Sequence, residues 1–233
     1  MAETPRFAHF VVLLFLGSAF FFVIGCVILL YAALRKSSVL ALASAATLGA
    51  LLVGYFTLLV GVSLLSPEKT LAVGHQKYFC EVDCHIAYSV QSSYSAFTLG
   101  PEASPTVAKG VFVIVKLQTW FDPNSISKFR GDVPLAPNPR RPYLVNDIGQ
   151  RFEPWLTAAS SVVDAGTPLT QPLGPGESYL TNLVFDVPPS SRHLRLLLLS
   201  DSGPVSKLVI DDENSLLHRK IYLDLPTLQA VRP

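Results

Sequence analysis

Two stretches of this chain, residues 10–34 and 39–65, contain no Asp, Glu, Lys, Arg or His. The first has 25 residues, a helix of about 37 Å at 1.5 Å per residue, and the second is at least as long. A hydrocarbon core is about 30 Å thick, so each stretch is long enough to cross a membrane. Only Arg35, Lys36, Ser37 and Ser38 separate them, which makes the pair an antiparallel hairpin. Pro67, Glu68 and Lys69 stop the second helix. The first apolar run is too long for a signal-peptide core and no small-x-small cleavage site leads into polar chain, so it is expected to be retained.

The paired cations Arg35 and Lys36 outweigh Arg6, which stands near Glu3, so the short loop is expected on the cytoplasmic side and both termini on the other. This predicts a two-pass protein of the cell (inner) membrane whose C-terminal domain is extracytoplasmic, in the periplasm. Neither span carries an ionisable side chain of the kind that lines ion paths and proton relays, which argues against a pump or channel. Ala46, Ala50 and Gly54 recur every four residues, a stripe that permits close helix approach. Contact with the first helix is the expectation; a helix of another protein is the alternative.

After Thr70 the chain changes character. Short alternating runs rich in β-branched and aromatic residues are separated by Pro, Gly, Asp and Ser, and no long amphipathic helix follows residue 65. Strands are expected at 85–90, 111–121, 143–145, 179–187, 194–199, 207–210 and 220–225, which is enough for two packed sheets. The predicted organisation is a tail at 1–9, transmembrane helices at 10–34 and 39–65 joined by a cytoplasmic loop at 35–38, a Cys/His-containing lead-in with the first strand at 70–106, and a β-sandwich at 107–233. Trp120 and Trp155 are expected as core anchors. With 18 basic against 17 acidic residues the net charge is +1, which offers no field to gather nucleic acid. The partners expected are the membrane and a protein within it or in the periplasm.

One window concentrates reactive side chains: His75, Cys80, Glu81, Asp83, Cys84 and His85 lie within eleven residues. Cys80 and Cys84 can meet only if the chain turns between them, because residues four apart in a strand are some 13 Å apart. Three readings follow. An oxidising compartment favours a Cys80–Cys84 disulfide. Thiolates with imidazole suit copper or zinc, with Cys80, Cys84, His85 and His75 as ligands. Cys80-x-x-x-Cys84-His85 is one residue longer than a haem attachment signature, which places haem third. No cofactor is expected if the disulfide forms. In the proline-rich stretch 122–142, Lys128, Arg130, Arg140 and Arg141 can form a basic surface patch. No catalytic residue is assigned, since no nucleophile elbow, metalloprotease motif or phosphate loop is present.

The run Tyr143-Leu144-Val145-Asn146-Asp147-Ile148-Gly149, followed by Pro175-Gly176-Glu177-Ser178 and by Val184-Phe185-Asp186-Val187-Pro188, resembles bacterial immunoglobulin-like accessory domains of unknown function. The likeness covers about residues 109–202. It implies an immunoglobulin-like sandwich acting as a tethered binding or scaffolding module, and it supplies no catalytic residues to carry over. A two-helix hairpin followed by an outer β-domain with Cys-x-x-x-Cys also resembles, in outline, the copper-carrying subunit of respiratory oxidases. That family's copper motif includes a methionine, and the only methionine here is Met1.

Overall fold

The computed structural model describes residues 8–79, 85–125, 131–155, 166–201, 203–226 and 229–230. The chain divides into two compact units. One contains helices α1 (Ala8–Leu34) and α2 (Ser38–Leu65) together with residues 203–219; the other is a two-sheet sandwich.

In the helical unit, α1 ends in a Schellman turn. Lys36 adopts a left-handed conformation (φ 55°) and its N–H bonds to Ala33 O, while Ser37 N–H reaches back to Ala32 O. This reverses the chain directly into α2. Leu48 packs against Gly25, where a Cβ would stand 2.6 Å from Leu48 Cδ2. Ala46, Ala50 and Gly54 are exposed, and nothing lies within 4 Å of a Cβ built on Gly54. The small-residue stripe therefore does not face α1; Leu48 and the half-buried Ala41, Ser44, Leu51 and Tyr55 recur at helical spacing and mark the packed face instead. Thr47 and Thr57 return their hydroxyl protons to the carbonyls four residues earlier, which leaves no side-chain donor unmet on either.

The sandwich is built from β1 (Lys69–Leu71), β2 (Lys77–Tyr78), β3 (Ile86–Leu99), β4 (Thr106–Phe121), β5 (Arg140–Val145), β6 (Arg151–Phe152), β7 (Ser178–Val187), β8 (Arg195–Ser200), β9 (Ile221–Asp224) and β10 (Gln229–Ala230). One sheet runs β10-β3-β4-β7 with β2 also paired to β3; the other runs β1-β9-β8-β5-β6. The β1–β9 and β10–β3 pairs are parallel and the rest antiparallel. Val113, Val115, Leu117 and Phe121 of β4 and Leu183, Phe185 and Val187 of β7 face Leu144, Leu196, Leu198 and Leu223 of the other sheet. Each such fully buried side chain contributes about 1.5–3 kcal/mol.

Four departures from the sequence expectation have physical causes. Strand β3 continues to Leu99 because a bulge between Val90 and Ser92 inserts Gln91. Residues 207–210 are no strand: Pro204 opens a short 3-10 helix to Leu208, and no neighbouring strand pairs with it. Trp120 lies in the register row with Ala87 and Ser178, on the outer face of the sheet, and is half-buried. Trp155 stacks on Phe112 at 4.9 Å in a separate cluster on that same outer face. Neither tryptophan is in the core between the sheets.

Candidate functional site

The outer face of the β3-β4-β7 sheet is apolar at one end and polar at the other. At the apolar end Trp155 covers Phe112, Ile114 and Val184, with its N–H bonded to Val184 O at 2.7 Å. Toward the other end the alternation of β4 places Lys116, Gln118 and Trp120 outward, beside Asn182, Leu180 and Ser178 of β7. An open groove of about 560 Å³ lies here, lined by Gln91, Lys116, Gln118, Thr167, Ser178 and Asn182, among others.

Its floor is a hydrogen-bonded row. Gln91 Nε2 donates to Ser89 Oγ (2.8 Å) and to Gln118 Oε1 (2.8 Å), and Gln118 Nε2 donates to Ser178 Oγ (3.2 Å). The bulge places Gln91 within reach of both, so the irregularity in β3 builds part of the floor. Residues 166–167 wall one side: Thr167 N–H bonds to Leu180 O, and Thr181 Oγ1 donates to Thr167 O. Gly166 is needed at that wall, since its φ is +70° and a Cβ would meet Leu180 O at 2.5 Å. Amides and hydroxyls that are both donors and acceptors, with one ammonium group, match the main chain of an extended peptide.

Near the strand ends is a tighter polar cluster. Tyr78 Oη donates to Asp122 Oδ2 at 2.8 Å, and Asp122 Oδ1 accepts from Asn124 N–H at 2.9 Å. His85 is 4% exposed and lies flat on Phe121 with ring centroids 5.3 Å apart. Its Nδ1 is 2.7 Å from Ser125 Oγ, and that hydroxyl donates to Asp122 O, so the network assigns the proton to Nδ1 of His85. Burial, then the hydrogen bond and charge of Asp122, push the Tyr78 phenol well above its usual range. Tyr179, whose hydroxyl donates to Leu169 O at 2.8 Å, is pushed up to about 12, chiefly by burial; the neighbouring Thr119 hydroxyl opposes the shift and Tyr88 adds to it.

Phenols with raised pKa bind their protons more tightly folded than unfolded. Their stabilisation is full below the unfolded value of about 10 and is lost as pH rises through the folded value. The melting temperature of the detergent-solubilised chain should therefore hold to about pH 10 and then fall. Tyr179→Phe should make that alkaline fall shallower; an unchanged slope would show that the residue does not titrate with unfolding.

The residues singled out from sequence are dispersed. Cys80 and Cys84 lie outside the described residues, as do Lys128 and Arg130, so the proposed disulfide, the thiolate ligands and half of the basic patch fall there. His75 sits in a half-buried turn after β1, its N–H bonded to Ala72 O. His85 is committed to Phe121 and Ser125. Arg140 and Arg141 are used differently: Arg140 stacks over Phe79 (4.1 Å) and donates to Ser200 Oγ, while Arg141 pairs with Asp201 at 2.7 Å. Among the described residues no three His, Cys, Asp or Glu side chains come together as a metal site. The groove residues were not singled out; the alternating Lys116, Gln118 and Trp120 were the available signal.

No family model matches this chain, and no curated protein does. It is similar to two solved structures. One is MPT63, a secreted protein of Mycobacterium tuberculosis, at 12% identity and a TM-score of 0.43 over 68% of this chain and 98% of that one. The other is an uncharacterised β-sandwich protein of Clostridium difficile 630, at 9% identity and a TM-score of 0.38 over 69% of this chain and 96% of that one. The sandwich architecture here rests on the two sheets themselves.

Proposed function

We propose that this chain is a two-pass membrane protein that holds a non-enzymatic β-sandwich binding module on the extracytoplasmic side, where the outer-face groove grips an extended segment of a protein partner. The exposure of the helices carries this reading. Leu13, Phe20, Phe21, Val27 and Leu30 of α1 are 61–68% exposed and Leu42 and Val53 of α2 are 74% and 69% exposed, and a helix apolar on every side is stable when lipid surrounds it. Arg35 and Lys36 between the helices support a cytoplasmic loop, and hence an outer location for everything after α2. The groove supports the binding role because its amides can exchange hydrogen bonds with peptide groups of either polarity.

Alkaline phosphatase, which folds only where disulfides form, is expected to be active when fused after Pro233, and a cytosolic reporter at the same point inactive. The inverse result overturns the orientation. A photo-crosslinking residue in place of Gln118 should give a discrete adduct in intact cells that the same residue in place of Ile148 does not. Adducts at both positions, or at neither, refute the groove.

A further inference from the structure

The connection between β8 and β9 packs on α2. Tyr55 Oη donates to Leu208 O (2.6 Å), Ser63 Oγ and Ser215 Oγ are 3.0 Å apart and buried, and Arg219 N–H bonds to Ser66 Oγ (2.9 Å). These contacts run from Tyr55 to Ser66, about 16 Å along the helix axis. The segment thus follows the last three turns of α2, and two left-handed non-glycine residues, Asp211 (φ 61°) and Leu217 (φ 64°), bend it back.

Depth follows from helix geometry. Tyr55 is about 26 Å along the axis from Ser38, close to the full thickness of a hydrocarbon core whose other boundary is marked by Arg35 and Lys36. Tyr55 therefore stands at the outer boundary, where tyrosines concentrate, beside Phe15 of α1 with ring centroids 6.4 Å apart. At that level a backbone carbonyl has little water to accept from, and the Tyr55 hydroxyl supplies the donor Leu208 O needs. Val205, Leu208, Leu216 and Leu217 of this segment are 41–57% exposed. Leu208 stands level with Tyr55 and the exposed Phe56 of α2, so the apolar surface that meets lipid on the helix continues onto this part of the segment, while Ser215 stands level with Ser63, about 12 Å further out.

We propose that residues 203–219 form an interfacial foot whose Val205 and Leu208 enter the acyl region of the outer leaflet beside α2, with Leu216 and Leu217 at the headgroup level above them. The proposal rests on the membrane reading above. Insertion of this kind buries apolar side chains about 5–10 Å into the headgroup boundary. The occupant is phospholipid, because Leu208 shares the depth of Tyr55 and Phe56, where α2 itself is covered by lipid, and Val205 lies in the same short 3-10 helix.

The test uses the full-length chain reconstituted in phosphatidylcholine vesicles, with or without lipid brominated high on the acyl chain. Val205→Trp and Leu208→Trp are each expected to add blue-shifted emission over the parent protein, and most of that added emission should be lost with brominated lipid. Val27→Trp on α1 serves as the lipid-exposed reference and Ile148→Trp as the water-exposed one. Quenching at 27 without quenching at 205 and 208 overturns the foot and leaves the membrane reading standing. Absence of quenching at 27 overturns both, and quenching at 148 equal to that at 205 and 208 overturns a localised foot.

Discussion

Replacing Gly110 with alanine is expected to lower the unfolding free energy of the sandwich by about 3 kcal/mol or more. The added Cβ would stand 2.2 Å from Val187 O, 2.9 Å from Val187 C and 3.2 Å from Pro188 Cα, all of them main chain. No rotamer change relieves such a clash. Moving the strands apart would break the end of the β4–β7 ladder at Val111 and Val187, and would pull Lys109 and Gly110 N–H from the Asp186 carboxylate that holds them at 2.8 and 2.9 Å. Alanine stabilises by at most about 1 kcal/mol through the unfolded chain, too little to offset the loss. Urea titration of the detergent-solubilised full chain, followed by tryptophan fluorescence, measures the effect. Gly203→Ala is the control, because nothing lies within 4 Å of its Cβ and its φ is ordinary. Equal midpoints for the two variants would show that the strands can separate there without penalty.

The same corner explains what the sequence likeness was reporting. In Val184-Phe185-Asp186-Val187-Pro188, Phe185 and Val187 fill the core and Val184 packs under Trp155 on the outer face, while Asp186 caps the N–H groups of Lys109 and Gly110 in β4. Asn146 to Gly149 forms a turn in which Gly149 takes φ 79° and Gln150 N–H bonds to Asn146 Oδ1. Pro175-Gly176 turns into β7, with Gly174 N–H held by Glu177 Oε2 at 2.6 Å. These motifs are local and each residue type has a local reason, so the elements they mark were legible. What was not legible depends on long-range pairing. Alternation fails at Gln91 because a bulge reverses which parity faces inward, so period-two reading stops at Val90 although the strand runs on to Leu99. The apolar run Leu208-Val209-Ile210 has no strand to pair with and instead lies in the segment that packs on α2. Likewise Ala46, Ala50 and Gly54 are a real periodicity, but periodicity cannot say which of two helix faces meets the partner.

The candidate site was less legible than the fold for a related reason. Sequence reasoning goes first to Cys and His, whose chemistry is intrinsic to the side chain. Gln91, Gln118, Ser178 and Asn182 become a site only when two sheet neighbours and residues 166–167 bring them to one groove. A glutamine on the outer face of a strand is otherwise a solvated residue, and nothing in its own segment distinguishes the two cases.

Lys77→Met is expected to destabilise the sandwich by about 3 kcal/mol, and here two opposing effects must be weighed. Lys77 is 2% exposed, on the inner face of the sheet opposite Tyr88. Continuing the β8–β9 register past Leu197 and Tyr222 would pair Leu198 with Ile221; at this place the carbonyls of both accept from Lys77 Nζ, at 3.0 and 2.9 Å. The ammonium thus joins β2 of one sheet to two strands of the other, with the Phe79 ring 4.9 Å away. Burying a cation is costly, and methionine of similar length removes that cost, which by itself would make the substitution neutral or favourable. Against it stand two hydrogen bonds from a charged donor, each worth about 1.5–3 kcal/mol, and two carbonyls deprived of that donor inside the sandwich. Two bonds lost at once exceed the relief, because the carbonyls remain buried whether or not the charge does. Lys77→Arg should not restore stability, since a planar guanidinium cannot aim at two carbonyls from the position of Nζ without displacing Phe79. Urea midpoints of the full chain decide the matter: a methionine variant as stable as the parent would mean that desolvation of the ammonium outweighs its bonds to the Leu198 and Ile221 carbonyls.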